Sequence, residues 1–193
     1  MNAQIGFAGG IDEVTLLRLR RGDNAAFEAV YRRYGRASYN LALRIAGSEA
    51  AAEDVVQEAF LTLMRRARSL RDPLAFGGWL KRVVANQAID YLRSRRLVDL
   101  QSDLGEHATE WKATDQGWDA DQAAGPELLQ RLLALSPAAR SVLVLHEIEG
   151  YTHAEIAEMF GMTESFSKSL LSRTLKRLRE ELAPRAPTEV SHV

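Results

Sequence analysis

The sequence has no cysteine among its 193 residues, which excludes disulfide bonds, thiolate metal sites and cysteine nucleophiles. It has only four histidines, and their positions share no metal-ligand spacing: His107, His146, His153 and His192. No apolar run approaches the roughly 20 residues that a membrane span needs, and the N-terminus has neither the basic start nor the apolar stretch of a signal peptide. From these absences we expect no metal, no cofactor and no membrane insertion, and a location in the cytoplasm.

An excess of one charge is also missing, because 25 basic and 26 acidic residues nearly cancel. The distribution along the chain is nevertheless uneven. Residues 12–98 hold 16 Lys/Arg against 10 Asp/Glu (+6), residues 99–126 hold one against 7 (−6), and residues 127–193 hold 8 against 9 (−1). This pattern predicts separate units, of which the first has the electrostatics of a phosphate-facing surface.

Apolar residues recur at helical spacing through most of the chain, and no segment alternates with the period of two that a half-buried strand requires. We therefore predict an all-α fold of two small helical domains joined by an acidic flexible linker. The linker contains Trp111 and Trp118, and either one of these rings packs on a domain or a partner, or both belong to a solvated tether. The predicted organisation is an N-terminal tail (1–11), a helical domain (12–98), the linker (99–125), a second helical domain (126–183) and a C-terminal tail (184–193).

The second domain has the pattern of a helix-turn-helix. After a helix predicted over 136–150, Thr152 and Glu155 form a capping box, and Gly161 suits the left-handed C-cap of the short helix between them. A longer helix is predicted from about Glu164 to Leu182. Basic residues begin near its start, which favours a helix that enters the DNA major groove over one that only complements its own dipole.

In the first domain, the segment AAEDVVQEAFLTLMRR predicts a helix with two stripes. The apolar core stripe consists of Ala52, Val56, Ala59, Phe60 and Leu63. The second stripe places Asp54, Gln57, Glu58 and Leu61 at i, i+3, i+4 and i+7 on another face. Taken alone, this second stripe is typical of a solvated helix face, and no nucleophile or metal ligand accompanies its acids.

A loop with one proline and two glycines then leads into a strongly basic helix. Residues 65–96 contain 9 Lys/Arg and two acids, with Phe76, Trp79 and Tyr91 among them. Single-stranded nucleic acid is typically held by such a surface, because cations meet the phosphates and aromatic rings stack on unpaired bases. Packing in the core is the alternative for each ring.

Taken in order, these segments resemble the extracytoplasmic-function (ECF) subfamily of bacterial sigma factors over about residues 12–183. The run AEDVVQEAF resembles the family's polymerase-binding helix, which implies that Asp54, Gln57, Glu58 and Leu61 dock on the clamp coiled-coil of the β′ subunit. FGGWLKRVVANQAIDYLRSRR resembles the promoter-opening loop and the helix that reads the minus-10 element. The residues that this resemblance directs toward minus-10 DNA are Phe76, Trp79, Arg82, Asn86, Arg93, Arg95 and Arg96.

Residues 135–180 resemble sigma region 4, whose helix-turn-helix reads the minus-35 element. Beyond Gly161 the sequence departs from the commonest pattern, since Thr163 stands in place of a proline, Phe166-Ser167 in place of Thr-Val, and Leu170 in place of arginine. The residues implied to face minus-35 DNA are Thr163, Ser165, Lys168, Ser169, Ser172, Arg173, Lys176 and Arg177. The resemblance further implies the β flap of polymerase and an anti-sigma factor as partners, and a linker that replaces region 3.

The implied function is a sigma factor that binds core RNA polymerase, recognises both promoter elements and opens the DNA, with no catalytic residue of its own. A free-standing helix-turn-helix regulator is the alternative, although the sequence offers no heptads for a dimer and the basic loop and helix at residues 69–96 would then have no role. A nucleic-acid-processing enzyme would need metal-binding carboxylates or a nucleophile with a base, and no such constellation is found.

Overall fold

The computed structural model describes residues 6–95 and 126–182, and these residues form helices and turns without a strand. The predicted all-α fold is therefore confirmed for this part of the chain; the predicted linker, with both of its tryptophans, lies outside it. The α-helices are α1 (Glu13–Arg20), α2 (Asn24–Ala46), α3 (Glu49–Arg66), α4 (Phe76–Ser94), α5 (Pro126–Leu133), α6 (Pro137–Leu143), α7 (His153–Phe160) and α8 (Glu164–Leu182).

The first domain is a bundle in which α2, α3 and α4 pack on one another and α1 packs on α2. Each of the first three helices starts at a side chain that accepts hydrogen bonds from free backbone N–H groups: Asp12 for α1, Asp23 for α2 and Ser48 for α3. The largest fully buried side chains include Tyr34 and Leu63. Burial of a leucine side chain stabilises the fold by about 1.5–3 kcal/mol.

The second domain packs α8 against α6 and α7. The predicted capping box is present, since the Thr152 hydroxyl accepts from the Glu155 N–H and the Glu155 carboxylate accepts from the Thr152 N–H. Gly161 ends α7 at φ +65°, as predicted. The long helix spans the predicted residues. Between α6 and α7 the chain makes a wide π-helical turn over Val144–Ile148, which the sequence analysis did not anticipate.

The two domains pack against each other through Arg140 of α6, which is 5% exposed. Its guanidinium donates to the Ile45 carbonyl oxygen at 3.1 and 3.3 Å, at the C-terminal end of α2, where the helix dipole favours a cation. Gly47 follows at φ +90°, and a Cβ atom there would lie 2.4 Å from the Arg140 Nη2 atom. The glycine thus meets two demands, a left-handed backbone and room for the guanidinium.

Ion pairs extend this domain interface. The Glu149 carboxylate lies 3.2 Å from Arg44 of α2 and 3.7 Å from Lys81 of α4, and the Lys81 ammonium also donates to the Glu149 carbonyl oxygen at 2.7 Å. Further along α4, Arg82 lies 2.7 Å from Glu158 of α7. At this interface, two acids of the near-neutral second domain therefore pair with cations of the basic first domain.

Candidate polymerase and nucleic-acid interface

The face of α3 that lies opposite its core stripe is open to solvent. Asp54 and Gln57 are exposed and Leu61 is 40% exposed, while Glu58 is partly buried and pairs with Arg65. Within the core stripe, Ala52, Val56, Ala59 and Leu63 are buried and Phe60 is partly buried. The division of this helix into two stripes is confirmed.

Beside this stripe lies an open apolar groove of about 340 Å³ between α2 and α3. Tyr31 and Met64, both more than half exposed, line it together with Leu61 and Phe60. The Tyr31 ring packs edge-on against Phe60, with centroids 4.9 Å apart. Neither Tyr31 nor Met64 was predicted from the sequence as part of this surface. Met64 could have been, because it continues the second stripe at i+7 from Gln57.

The residues expected at minus-10 DNA lie on α4 and divide by exposure. Arg82, Arg93 and Arg95 are exposed, Asn86 is partly buried, and Trp79 is partly buried against the core. Arg96 lies outside the described residues. Arg82 is engaged with Glu158 at the domain interface, so in this arrangement its guanidinium faces an acid rather than solvent alone.

Phe76 requires a correction, because the sequence analysis directed its ring toward DNA. The ring is 1% exposed and packs against Tyr34 and Trp79, with centroids 5.5 and 6.0 Å away. It is the first residue of α4, and the hydrophobic effect draws a ring at this position into the bundle. Phe76 is a core residue that anchors the start of α4. Core packing was the alternative that the sequence left open for this ring.

The loop before α4 presents its tip to solvent. The Asp72 carboxylate accepts from the backbone N–H of Leu74 at 2.8 Å and of Ala75 at 3.3 Å, which fixes a tight turn. Leu74 at the tip is 81% exposed. An exposed leucine on a fixed turn is available to a partner, since nothing in the described part of the fold covers it.

The second surface expected to face DNA is the outer side of α8, where every residue predicted to face minus-35 DNA is exposed. The opposite face packs into the domain through Leu170, Leu171 and Thr174. Three cations of this helix lie near acids one turn away. Lys168 is 2.6 Å from Glu164, Arg177 is 2.8 Å from Glu181 and Lys176 is 3.9 Å from Glu180. Such exposed pairs contribute little to stability, so the cations can exchange these partners for phosphates.

The departures from the commonest region 4 pattern lie mostly on the inner side of α8. Leu170 and Ser167 are buried, and Phe166 is partly buried against the core. The Ser167 hydroxyl lies 3.0 Å from His153 Nδ1, which joins α8 to α7; burial, helped by neighbouring cationic groups, lowers the pKa of His153. The Thr163 hydroxyl accepts from the Phe166 N–H at 3.2 Å at the start of the helix. The unusual residues therefore serve packing and capping more than they alter the DNA-facing side.

Two further properties limit the kinds of site available. Within residues 6–95 and 126–182, no group of three or more acidic or histidine side chains is arranged to hold a metal ion. None of the described helices combines the length and hydropathy of a membrane span. The exposed polar stripe of α3, the basic α4 and the cationic α8 are the candidate binding surfaces of the described residues.

Comparisons with known proteins identify the family of the chain. Residues 30–98 match the family Sigma-70 region 2, and residues 126–178 match Sigma-70, region 4. The chain is 31% identical over 165 residues to the RNA polymerase sigma factor CarQ of Myxococcus xanthus, covering 86% of this chain and 94% of CarQ. It is 32% identical over 168 residues to the ECF RNA polymerase sigma factor SigE of Mycolicibacterium smegmatis, covering 84% of this chain and 65% of SigE.

Coverage of relatives varies, since the chain spans only 38% of a Xanthomonas campestris relative, the probable sigma factor RfaY. A solved structure of similar fold is CnrH in complex with the cytosolic domain of CnrY, with a TM-score of 0.52, 22% identity, and coverage of 91% of this chain and 99% of CnrH. The chain is thus a two-domain member of the sigma-70 family, whose proteins direct RNA polymerase to promoters. Within that family it belongs to the ECF subfamily.

Proposed function

We propose that this ECF sigma factor docks on core RNA polymerase through α3, reads the minus-35 element with α8, and reads and opens the minus-10 element with α4 and the loop before it. The observation that carries the proposal is the presence of three chemically different exposed surfaces on one chain. Each surface alone is small. Polymerase would couple them, because two weak DNA contacts held at a fixed spacing act as one strong bivalent contact.

The polymerase surface in this proposal joins the polar stripe of α3 to the apolar groove beside it. Asp54 and Gln57 offer polar contacts at its edge, and Leu61, Met64 and Tyr31 offer apolar ones. Interfaces typically combine an apolar centre rich in aromatic and methionine side chains with a polar rim. This arrangement suits an α-helical partner such as the clamp coiled-coil of the β′ subunit, while the second domain would contact the β flap.

The proposed role involves no catalysis by this chain and places it in the cytoplasm, where bacterial polymerase works. We also infer an anti-sigma factor as a partner, since the sigma factor RpoE of Bartonella quintana, a solved structure of similar fold (TM-score 0.52, 21% identity), was crystallised with the anti-sigma factor NepR. The regulator alternative gains nothing from the structure. The helix-turn-helix domain packs on the first domain through charged residues. No observation on the described residues points to a second copy of the chain, which such a regulator would need to form a dimer.

The proposal is tested by reversing one charge on the docking stripe. Asp54→Lys should weaken binding to purified core polymerase by about tenfold or more and reduce run-off transcription accordingly, because the proposed interface uses this acid for a polar contact that a cation cannot replace. Glu13→Lys is a matched control with the same charge change on an exposed acid of α1. Its polymerase affinity and its transcription should equal those of the wild type.

Binding is measured by fluorescence anisotropy of labelled sigma factor, and the helical content of each variant by circular dichroism. A folded Asp54→Lys protein that binds polymerase as tightly as Glu13→Lys would contradict the docking assignment. DNA binding at full affinity by the chain without polymerase would favour the regulator instead.

A further inference from the structure

The N-terminal segment Phe7–Ile11, which the sequence analysis assigned to a tail, lies against the loop between α3 and α4. The Ile11 N–H donates to the Pro73 carbonyl oxygen at 2.9 Å, and the Ile11 side chain is 6% exposed. The buried Tyr34 hydroxyl donates toward the Gly9 and Gly10 carbonyl oxygens, at 3.1 and 3.3 Å. The segment is therefore tied to the loop on one side and to the core of the bundle on the other.

Two glycines allow this approach. A Cβ atom on Gly10 would lie 2.1 Å from the Pro73 carbonyl oxygen. A Cβ atom on Gly77, in the first turn of α4, would lie 2.2 Å from the carbonyl oxygen of Phe7 and 2.5 Å from that of Gly9. The atoms that would clash are backbone atoms, which cannot rotate away as a side chain can. The approach of the segment to the loop and to α4 therefore requires glycine at both positions.

Aromatic rings continue the connection into the core. The Phe7 ring is stacked on Tyr34 with centroids 6.4 Å apart, and Tyr34 in turn packs against Phe76 at 5.5 Å. Phe76 begins α4, immediately after the loop tip at Leu74. One end of the loop is therefore held by this column of rings, and its middle is held by the hydrogen bond to Pro73.

We propose that Phe7–Ile11 is a positioning brace that holds the loop 70–75 in the conformation needed to open promoter DNA. This inference rests on the proposed function of that loop at the minus-10 element. A base extruded from duplex forfeits its stacking and pairing, so the structure that receives it must already be in place. The brace residues act through the loop and touch no DNA themselves. They are positioning residues, with Gly10 and Gly77 setting the distance between the two segments.

A pair of adjacent glycines provides the test. Gly77→Ala forces the brace away from α4, whereas a Cβ on the exposed neighbour Gly78 would meet nothing within 4 Å. Both substitutions lie in the first turn of α4, where alanine favours the helix over glycine. Gly78→Ala is thus a matched control that should behave like the wild type.

With reconstituted holoenzyme, Gly77→Ala should slow opening of a closed duplex promoter by about tenfold, which corresponds to the loss of one or two hydrogen bonds. Transcription from a template with a mismatched bubble at minus-10, and affinity for core polymerase, should stay within about twofold of wild type. The preference among bases at the extruded position should also weaken. Tyr34→Phe removes only the bridging hydroxyl. It should likewise slow opening of the duplex promoter while leaving transcription from the bubble template unchanged, and it should speed hydrogen exchange at residues 6–12.

Wild-type opening and base preference in Gly77→Ala, or equal defects on duplex and bubble templates, would overturn the brace. The variant Leu74→Ala, at the exposed loop tip, distinguishes failure of the brace from failure of the function proposed for the loop. If Leu74→Ala is selectively defective on duplex while Gly77→Ala and Tyr34→Phe match the wild type, the brace alone is refuted. If none of the three variants affects duplex opening, the loop is not the opening element, and the proposed function of the loop fails with the brace.

Discussion

Arg140 is a buried cation without an ion-pair partner among the described residues. Burial lowers the pKa of its guanidinium to about 10, so the group remains charged at neutral pH. Hydrogen bonds to the Ile45 carbonyl oxygen and, at 3.4 Å, to that of Leu135 take the place of a carboxylate. A cation held by carbonyl groups has only their dipoles to offset the cost of leaving water, so its position depends on an undisturbed site.

We therefore predict that Gly47→Ala destabilises the protein more than Gly22→Ala does. Both glycines have positive φ, +90° and +79°, so both substitutions introduce about 1 kcal/mol of backbone strain. Only a Cβ on Gly47 meets the guanidinium, since Gly22 has nothing within 4 Å. The added loss should be about 1.5–3 kcal/mol, the contribution of hydrogen bonds to a charged group. Thermal unfolding followed by circular dichroism measures the difference; equal losses would show that Arg140 moves without cost.

At the scale of elements, α8 combines an exposed cationic face with a buried packing face. Replacing Lys168, Arg173 and Lys176 together by alanine should weaken promoter binding by holoenzyme and lower the salt-dependence slope by roughly one for each phosphate that these cations neutralise. The helix should persist, because alanine is a strong helix former. Filter binding at several salt concentrations gives both quantities.

The acids of the same helix supply the control. Replacing Glu164, Glu180 and Glu181 by alanine breaks the ion pairs within α8 but keeps its cations. This variant should bind the promoter as tightly as the wild type or more tightly. An unchanged slope in the cation variant would show that α8 does not contact duplex phosphates.

Elements whose signals are local could be predicted from the sequence, and contacts between distant segments could not. The capping box at Thr152, the C-cap at Gly161 and the extent of α8 depend on neighbouring residues, and all three are confirmed. The contact between Arg140 and Ile45 joins positions 95 residues apart and has no local signature. Burial of Phe76 was one of two alternatives for this ring and was not decided by the sequence, because helical spacing identifies a face without identifying what covers it.

At the scale of the whole molecule, ion pairs join the two domains in addition to apolar contacts. Glu149 is the centre of this arrangement, since it faces both Arg44 and Lys81 and its side chain is only 12% exposed. The Lys81 ammonium also lies 5.0 Å from the centre of the Tyr151 ring, and burial raises the pKa of that tyrosine to about 12. Removing the acid leaves two cations facing each other without compensation.

Glu149→Lys should therefore separate the domains and enlarge the radius of gyration measured by small-angle X-ray scattering. Glu147→Lys is the matched control, because Glu147 is an exposed acid two positions away that pairs with His146 instead of the first domain. The control should keep the wild-type radius. If both variants scatter like the wild type, the ion pairs do not hold the domains together.

The wide turn at Val144–Ile148 determines the direction in which the residues after it point. The Glu149 N–H reaches back five residues to the Val144 carbonyl oxygen at 3.0 Å, where an α-helix would reach back four. Each residue of an α-helix advances the chain by roughly 100° of rotation and 1.5 Å of rise. With regular winding through this turn, Glu149 would be rotated by roughly 100° and would point away from Arg44 and Lys81. One additional residue in this turn therefore determines whether the second domain can form its ion pairs with the first.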